Sequence, residues 1–326
     1  MFNRRIRATT ALLAMLPLAV LAAACSAEET VPENDAAGGP TPLTVAVSPG
    51  AETSAPMYLA IERGVFEDLG LDLTLTVLND GSIAIPNTLN GQTQFSMSGF
   101  GPAAQAIEKG LAIKMIGAAN VIPTDPDSVY QAIVVGKDSG IDSMADVSTW
   151  AADSTEVDPS QAFAVDALGG DYAALQKVAV PFPSIGDAVA DGTVDAALLN
   201  EPFLTAALET GKVDVLSYIA GELTIPGAPG AVFIGSDEYM AANPDVTAAF
   251  IDGVEEAYRY ASENMQEVAD FIPETGLSER IPKVEEMSEY QVGPLQASAV
   301  QPLLDVYADY GAISGTVSAE EMIHRS

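Results

Sequence analysis

Gly91-Gln92-Thr93-Gln94-Phe95-Ser96-Met97-Ser98-Gly99-Phe100-Gly101-Pro102 runs on to Gly110, and Gly192-Thr193-Val194-Asp195-Ala196-Ala197-Leu198-Leu199-Asn200-Glu201-Pro202 runs on to Gly211. Each segment reads as a helix end closed by glycine, a short strand, a small or polar turn, and a helix opened by proline and closed by a second glycine. The Gly-to-Gly spacing is the same in both. A common βα grammar is enough to produce such a match; two structurally equivalent lobes would produce it too. In open α/β sheets, ligands bind beyond the carboxyl ends of the strands. The turns Ser98-Gly99-Phe100 and Asn200-Glu201 would then face each other across a cleft.

The rest of the body extends this pattern. Leu43–Val47 and Leu71–Val77 alternate with period two and predict strands, as do Phe95–Ser98 and Ile113–Ala118. Between them, Ser54-Ala55-Pro56 opens a helix to Arg63 with a capping hydroxyl and a first-turn proline; 83–90 and 102–109 predict two more helices. A second series follows, with strands at 131–135, 176–180, 196–199, 213–218 and 231–234 and helices at 161–168, 185–190 and 202–209. Pro244–Asn264 is a long amphipathic helix. Strands alternating with helices at this spacing imply an α/β fold with mostly parallel sheets covered on both faces.

The amino terminus carries an export pattern. Arg4, Arg5 and Arg7 precede an apolar stretch from Ala8 to Ala24 that ends Leu21-Ala22-Ala23-Ala24-Cys25. A positive flank, a short apolar run and small residues mark a cleavable signal. Cys25, the only cysteine, then stands where a lipoprotein carries diacylglycerol and palmitate. Each buried methylene contributes about 0.8 kcal/mol and two chains give a durable anchor. Lipoboxes usually place Leu three residues before the cysteine; here Ala22 stands there and Leu21 one place earlier. The alternative is an ordinary secretory signal with an incidental cysteine. Residues 25–42, rich in Pro, Gly, Ala and acid, predict a flexible tether.

Charge narrows the partners. The chain has 46 Asp and Glu against 13 Lys and Arg. Three of those arginines leave with the signal, so the mature chain sits near −36 (10 − 46). Such a surface repels nucleic acid and anionic headgroups. A hydrophobic fraction of 48% is ample for a core.

Ala55-Pro56-Met57-Tyr58-Leu59-Ala60-Ile61-Glu62-Arg63-Gly64-Val65-Phe66-Glu67-Asp68-Leu69-Gly70-Leu71 resembles the opening of the nitrate/sulfonate/taurine and thiamine-pyrimidine-precursor type solute-binding proteins of ABC importers. Leu89-Asn90-Gly91, Asp138-Ser139-Gly140-Ile141, Gly192-Thr193-Val194-Asp195-Ala196-Ala197, Glu201-Pro202-Phe203 and Ala242-Asn243-Pro244-Asp245-Val246 extend the resemblance over residues 43–275. It implies a two-lobed type II periplasmic-binding fold with two hinge crossovers. Lobe one would comprise 43–130 plus 228–326, and lobe two 131–227. It also implies an extracytoplasmic, monomeric lipoprotein that captures a small molecule by lobe closure and delivers it to an ABC permease and its ATPase. No cofactor, metal or catalysis is implied. The alternatives are a ligand-sensing or scaffold lipoprotein without its own permease, or an enzyme on the same fold.

For such a fold the expected ligand-binding residues lie in the strand-to-helix turns: Ser48, Glu52, Ser54, Ser98, Gly99, Phe100, Ser160, Gln161, Asn200 and Glu201. Each hydroxyl could instead be a plain helix cap, and Glu201 could simply stabilise its own helix N-terminus. None of the ten mature cations falls in these turns, and Val147–Gln161, where relatives often place lysines, contains no Lys or Arg. A neutral or cationic solute is therefore expected over nitrate or a sulfonate. His324, the only histidine, is third from the carboxyl terminus, no Cys–His pair or Ser–His–acid set can be assembled, and Gly99-Phe100-Gly101 lacks the rest of a dinucleotide fingerprint.

Lipidation is tested by Cys25→Ser, which should release the protein from membranes. Partitioning of that variant into the detergent phase at the wild-type level would rule the anchor out.

Overall fold

The computed structural model describes residues 39–78, 81–152 and 158–325. The export signal 1–24, Cys25 and the tether up to residue 38 lie outside the described residues. Twelve strands follow in chain order: β1 Thr41–Val47, β2 Leu71–Val77, β3 Phe95–Gly99, β4 Ile113–Ala118, β5 Asn120–Val121, β6 Gln131–Gly136, β7 Thr149–Ala152, β8 Gln176–Ala179, β9 Ala196–Asn200, β10 Val213–Tyr218, β11 Ala231–Ser236 and β12 Glu289–Tyr290. They form two five-stranded sheets, β2-β1-β3-β11-β4 and β10-β6-β9-β7-β8, and a β12-β5 pair.

The two sheets repeat one plan. The echoed segments supply their central strands, β3 and β9. In each sheet one strand runs against the other four. It is β11 in the first and β6 in the second. Both reversed strands are where the chain enters a lobe, and both start opposite the carboxyl end of the central strand: Ala231 pairs with Gly99, and Gln131 with Asn200.

The inner strands of both sheets are buried on both faces. On one face of the first, Phe95 stacks on Phe250 at 4.1 Å with planes 3° apart. Phe250 belongs to the helix Pro244–Glu263, whose buried residues Thr247, Phe250, Val254, Ala257, Tyr258 and Ala261 recur at three- and four-residue steps. The other face packs on the helices Phe100–Glu108 and Ala297–Asp309 through Phe100, Leu303, Leu304 and Tyr307. The second sheet lies between clusters around Trp150 and Val165 on one side and Ile185 and Leu204 on the other.

Several expected boundaries move. The strand Thr149–Ala152 was not expected, yet it is interior to the second sheet, and Trp150 has no exposed surface. It is only four residues long and shows no apolar alternation, so its pattern carries no strand signal. β1 starts at Thr41, inside the stretch read as tether; Pro42 pairs with Asp72 of β2, while the pairing with β3 covers only Val45 and Ala46, so the side of the strand facing β3 is unpaired at Pro42. The first helix is Ala51–Glu62, so Ser54 lies in its first turn instead of capping it. There the hydroxyl donates to the Ser48 carbonyl at 2.8 Å.

The segments joining the sheets, 119–130 and 219–230, bind each other. Ala119 N–H donates to the Ala231 carbonyl at 2.9 Å, Gly230 N–H to Asn120 at 3.0 Å, Ile122 N–H to Ala228 at 2.8 Å and Gly227 N–H to Ile122 at 2.9 Å. The Asn120 Oδ1 accepts from Ala231 N–H at 2.8 Å. A Cβ on Gly230 would sit 3.1 Å from that oxygen, so the approach depends on the glycine. Among the described residues no helix is long and apolar enough to cross a membrane.

Candidate functional site

A cavity of about 420 Å³ opens at the carboxyl ends of the central strands, between the sheets. This is the size of a small-molecule site, ~300–1,000 Å³. The first lobe contributes Ser48 after β1, Gly99 at the end of β3 and Phe100 at the start of its helix. The second contributes Asn200 at the end of β9, Asp158, and Ser160 and Gln161 in the first turn of the helix Pro159–Ala167. The joining segments form a further wall with Asn120, Tyr130 and Ile225. Val306 and Tyr307, from the helix Ala297–Asp309, complete it. The Tyr310 hydroxyl, just past that helix, donates to Asp166 Oδ2 at 2.9 Å and ties it to the second lobe.

The walls are aromatic and held by close packing. Phe100 meets Tyr307 edge to face at 5.6 Å. Tyr307 lies so near the backbone that a Cβ on Gly101 would come within 2.5 Å of its hydroxyl oxygen, so only glycine fits there. Phe163, Phe182 and Tyr130 add further ring surface. Burial and the Asp158 carboxylate push the Tyr307 phenol up, and burial together with Glu52 does the same to Tyr130, so both stay neutral donors.

The polar lining consists mainly of oxygen acceptors and hydroxyls. Asn200 Oδ1 is buried without a hydrogen-bond partner, which normally costs free energy unless something fills the position. Asp158 is the N-cap of the helix Pro159–Ala167. Its Oδ1 accepts the Ser160 and Gln161 amides at 2.9 and 3.3 Å, and its Oδ2 accepts Gln161 Nε2 at 3.1 Å. Gln161 Oε1 in turn accepts the indole N–H of Trp150 at 2.7 Å. Among the described residues no lysine or arginine lines the cavity.

Of the ten expected residues, the cavity brings together Ser48, Gly99, Phe100, Ser160, Gln161 and Asn200. Ser98 is nearly buried and donates to the adjacent Gly99 carbonyl; Ser54 is fully buried on the Ser48 carbonyl. Glu52 and Glu201 line a separate crevice where the lobes meet, with Arg280 and Glu286. The Glu201 side chain caps its own helix, accepting the Thr205 hydroxyl at 2.7 Å and the Thr205 amide at 3.1 Å. Asp158, Tyr130 and Tyr307 were not anticipated. Asp158-Pro159 carried a legible signal, an N-cap residue followed by proline at the first helical position. Tyr307 carried none, because its place depends on the carboxyl-terminal helix docking against turns far away in sequence.

The crevice acids hold an excess of negative charge. Arg280 pairs with Glu286 at 2.5 Å and Lys283 with Glu286 at 3.2 Å. Burial opposes ionisation of Glu286, but the Lys283 amide and the two cations hold it below the ordinary carboxylate range. Burial instead raises Glu201 against the Thr205 bonds, and it pushes Glu52 up to about 7, with the Glu201 charge adding to the shift. Glu52 is 5% exposed, and the carbonyl oxygens of Glu52 and Thr53 accept the Tyr290 and Tyr258 hydroxyls at 2.7 and 2.8 Å.

Residues 51–268 match the family described as NMT1/THI5 like, and the chain belongs to that family. A formylaminopyrimidine-binding protein from Halalkalibacterium halodurans is 22% identical over 252 residues, spanning 76% of this chain and 74% of the relative. The alkanesulfonate-binding protein SsuA from Xanthomonas axonopodis pv. citri, solved bound to MOPS, superposes with a TM-score of 0.70 at 16% identity, covering 89% of this chain and all of that one. The nitrate-binding protein NrtA from Synechocystis PCC 6803 gives 0.67 at 15% identity, over 86% and 84% of the two chains. The fold is the two-lobed type II fold of periplasmic binding proteins.

The Glu52 shift sets a pH dependence of stability. Its folded pKa is raised, so the folded state binds more protons than the unfolded one between pH ~4.5 and ~7. Wild type should therefore lose stability relative to Glu52→Gln as pH rises through that window, by on the order of 3 kcal/mol, with no further change above it. Urea unfolding of both proteins at pH 5 and pH 8 checks this. A constant difference across the two pH values would contradict it.

Proposed function

We propose that this NMT1/THI5-like chain is an extracytoplasmic solute-binding protein. It captures one small molecule between its lobes and delivers it to an ABC permease and its ATPase. Cys25 anchors it to the membrane through lipid. Lobe one (43–130 and 228–326) and lobe two (131–227) close over the solute about the joining segments. The cavity between the sheets supports this reading, because both central strands and helix first turns from both lobes meet there. A site divided between two bodies is stabilised in its closed form by whatever fills it.

The solute is neutral or cationic, flat, and offers N–H donors. Supporting this are the aromatic walls, the open acceptor Asn200 Oδ1, the Asp158 carboxylate and a lining free of Lys and Arg among the described residues. A ring of this kind stacks on Phe100 or Tyr307 and donates to the oxygens. The formylaminopyrimidine bound by the Halalkalibacterium relative has these properties. Alkanesulfonates and nitrate, named for the two structural neighbours, do not.

Isothermal titration with formylaminopyrimidine, other 4-aminopyrimidines, taurine, methanesulfonate and nitrate decides the class. Micromolar binding of an aminopyrimidine or aromatic amine, with no heat from the anions, is the expected result. Tight binding of a sulfonate or nitrate would overturn the assignment of ligand charge.

A further inference from the structure

The helix Pro159–Ala167 begins at the cavity wall, and Ser160 and Gln161 in its first turn line that wall. A helix N-terminus presents unpaired amides and a partial positive charge, which suits an anion. In this chain the position is already taken. Asp158 Oδ1 accepts both first-turn amides at 2.9 and 3.3 Å. Asp158 Oδ2 is held by Gln161 Nε2 at 3.1 Å, and Gln161 is fixed by Trp150, which is fully buried in the core of the second lobe. The carboxylate is thus locked in place from below by a packed side chain, so an incoming anion would have to break three hydrogen bonds to displace it.

We propose that Asp158 is the specificity-determining residue of the cleft: a tethered carboxylate that fills the anion position of the helix Pro159–Ala167, excludes sulfonates, nitrate and carboxylates, and draws a solute with N–H donors or positive charge. This rests on the cavity being the solute site. Asn200 Oδ1, buried without a partner beside the same cavity, is a second acceptor that an anion would leave unpaired and an N–H donor would satisfy. A solute amino group would bridge Asp158 of one helix start and Asn200 of the central strand. Selectivity would then come from repulsion of the wrong class as much as from attraction of the right one.

Asp158→Gly and Asp158→Asn separate occupancy from charge. Glycine at an N-cap costs little stability and leaves the Ser160 and Gln161 amides open to the cavity. Asparagine keeps an oxygen on those amides while removing the charge and, with an NH2 in place of Oδ2, the acceptor for Gln161 Nε2. Methanesulfonate and nitrate are titrated by calorimetry into wild type and both variants, alongside a 4-aminopyrimidine, with thermal melting to confirm folding. Anion affinity should rise in the order wild type, Asn, Gly, with the glycine variant gaining about tenfold or more. Aminopyrimidine affinity should fall in both variants. If the glycine variant does not fold, the asparagine variant decides alone, and anion affinity equal to wild type would overturn the proposal. So would a folded glycine variant with no anion gain. Should wild type bind no aminopyrimidine or amine, the assigned solute class fails, while the anion comparison between variants still judges Asp158.

Discussion

The backbone ladder between the two joining segments is the constraint on which the rest of the architecture depends. Segments 119–130 and 219–230 carry the chain between lobes, and their amides and carbonyls must find partners away from either sheet. They find them in each other, in the run from Ala119–Ala231 to Gly227–Ile122. That arrangement forces the chain to enter each sheet antiparallel to its neighbours, as β6 and β11 do. It also places the carboxyl ends of β3 and β9, where a ligand would bind, directly beside the joining segments. The cavity, the aromatic wall at Tyr130 and the orphan acceptor on Asn200 all follow from that placement.

Negative charge is handled in four different ways. Most acids are exposed, and their repulsion is screened over about 8–10 Å by salt. Glu286 is buried but paired with Arg280 and Lys283. Glu52 is buried beside a second raised acid, Glu201, with Arg280 as the nearby cation. Burial of a charged acid would cost several kcal/mol, so its pKa is pushed up to about 7. Asp158 is the remaining case: a carboxylate satisfied by amides and set at the cavity wall, where its charge acts on what enters.

Much of this was legible in the sequence because it depends on local grammar. The matched segments at Gly91 and Gly192 became the two central strands, and the period-two run at Leu71 and the strand candidate at Ile113 have the expected ends. Six of the ten turn residues reached the cavity for the same reason, since a strand-to-helix turn places its residues at the carboxyl edge of the sheet. What was missed depends on long-range packing. Thr149–Ala152 is a strand only because β8 and β9 flank it. Tyr307 reaches the cavity only because the helix Ala297–Asp309 docks on the Phe100 helix. Glu52 and Glu201 sit in the right turns, but the crevice with Arg280 and Glu286 takes their side chains. Nothing in the local sequence foretold that direction.

In the proposed mechanism, a solute held between the sheets draws the two lobes together about the joining segments. Solution scattering, titrated with the first solute that calorimetry shows to bind, measures this most directly. The radius of gyration should fall with occupancy and level off at saturation. A scattering curve unchanged at saturating solute would contradict it.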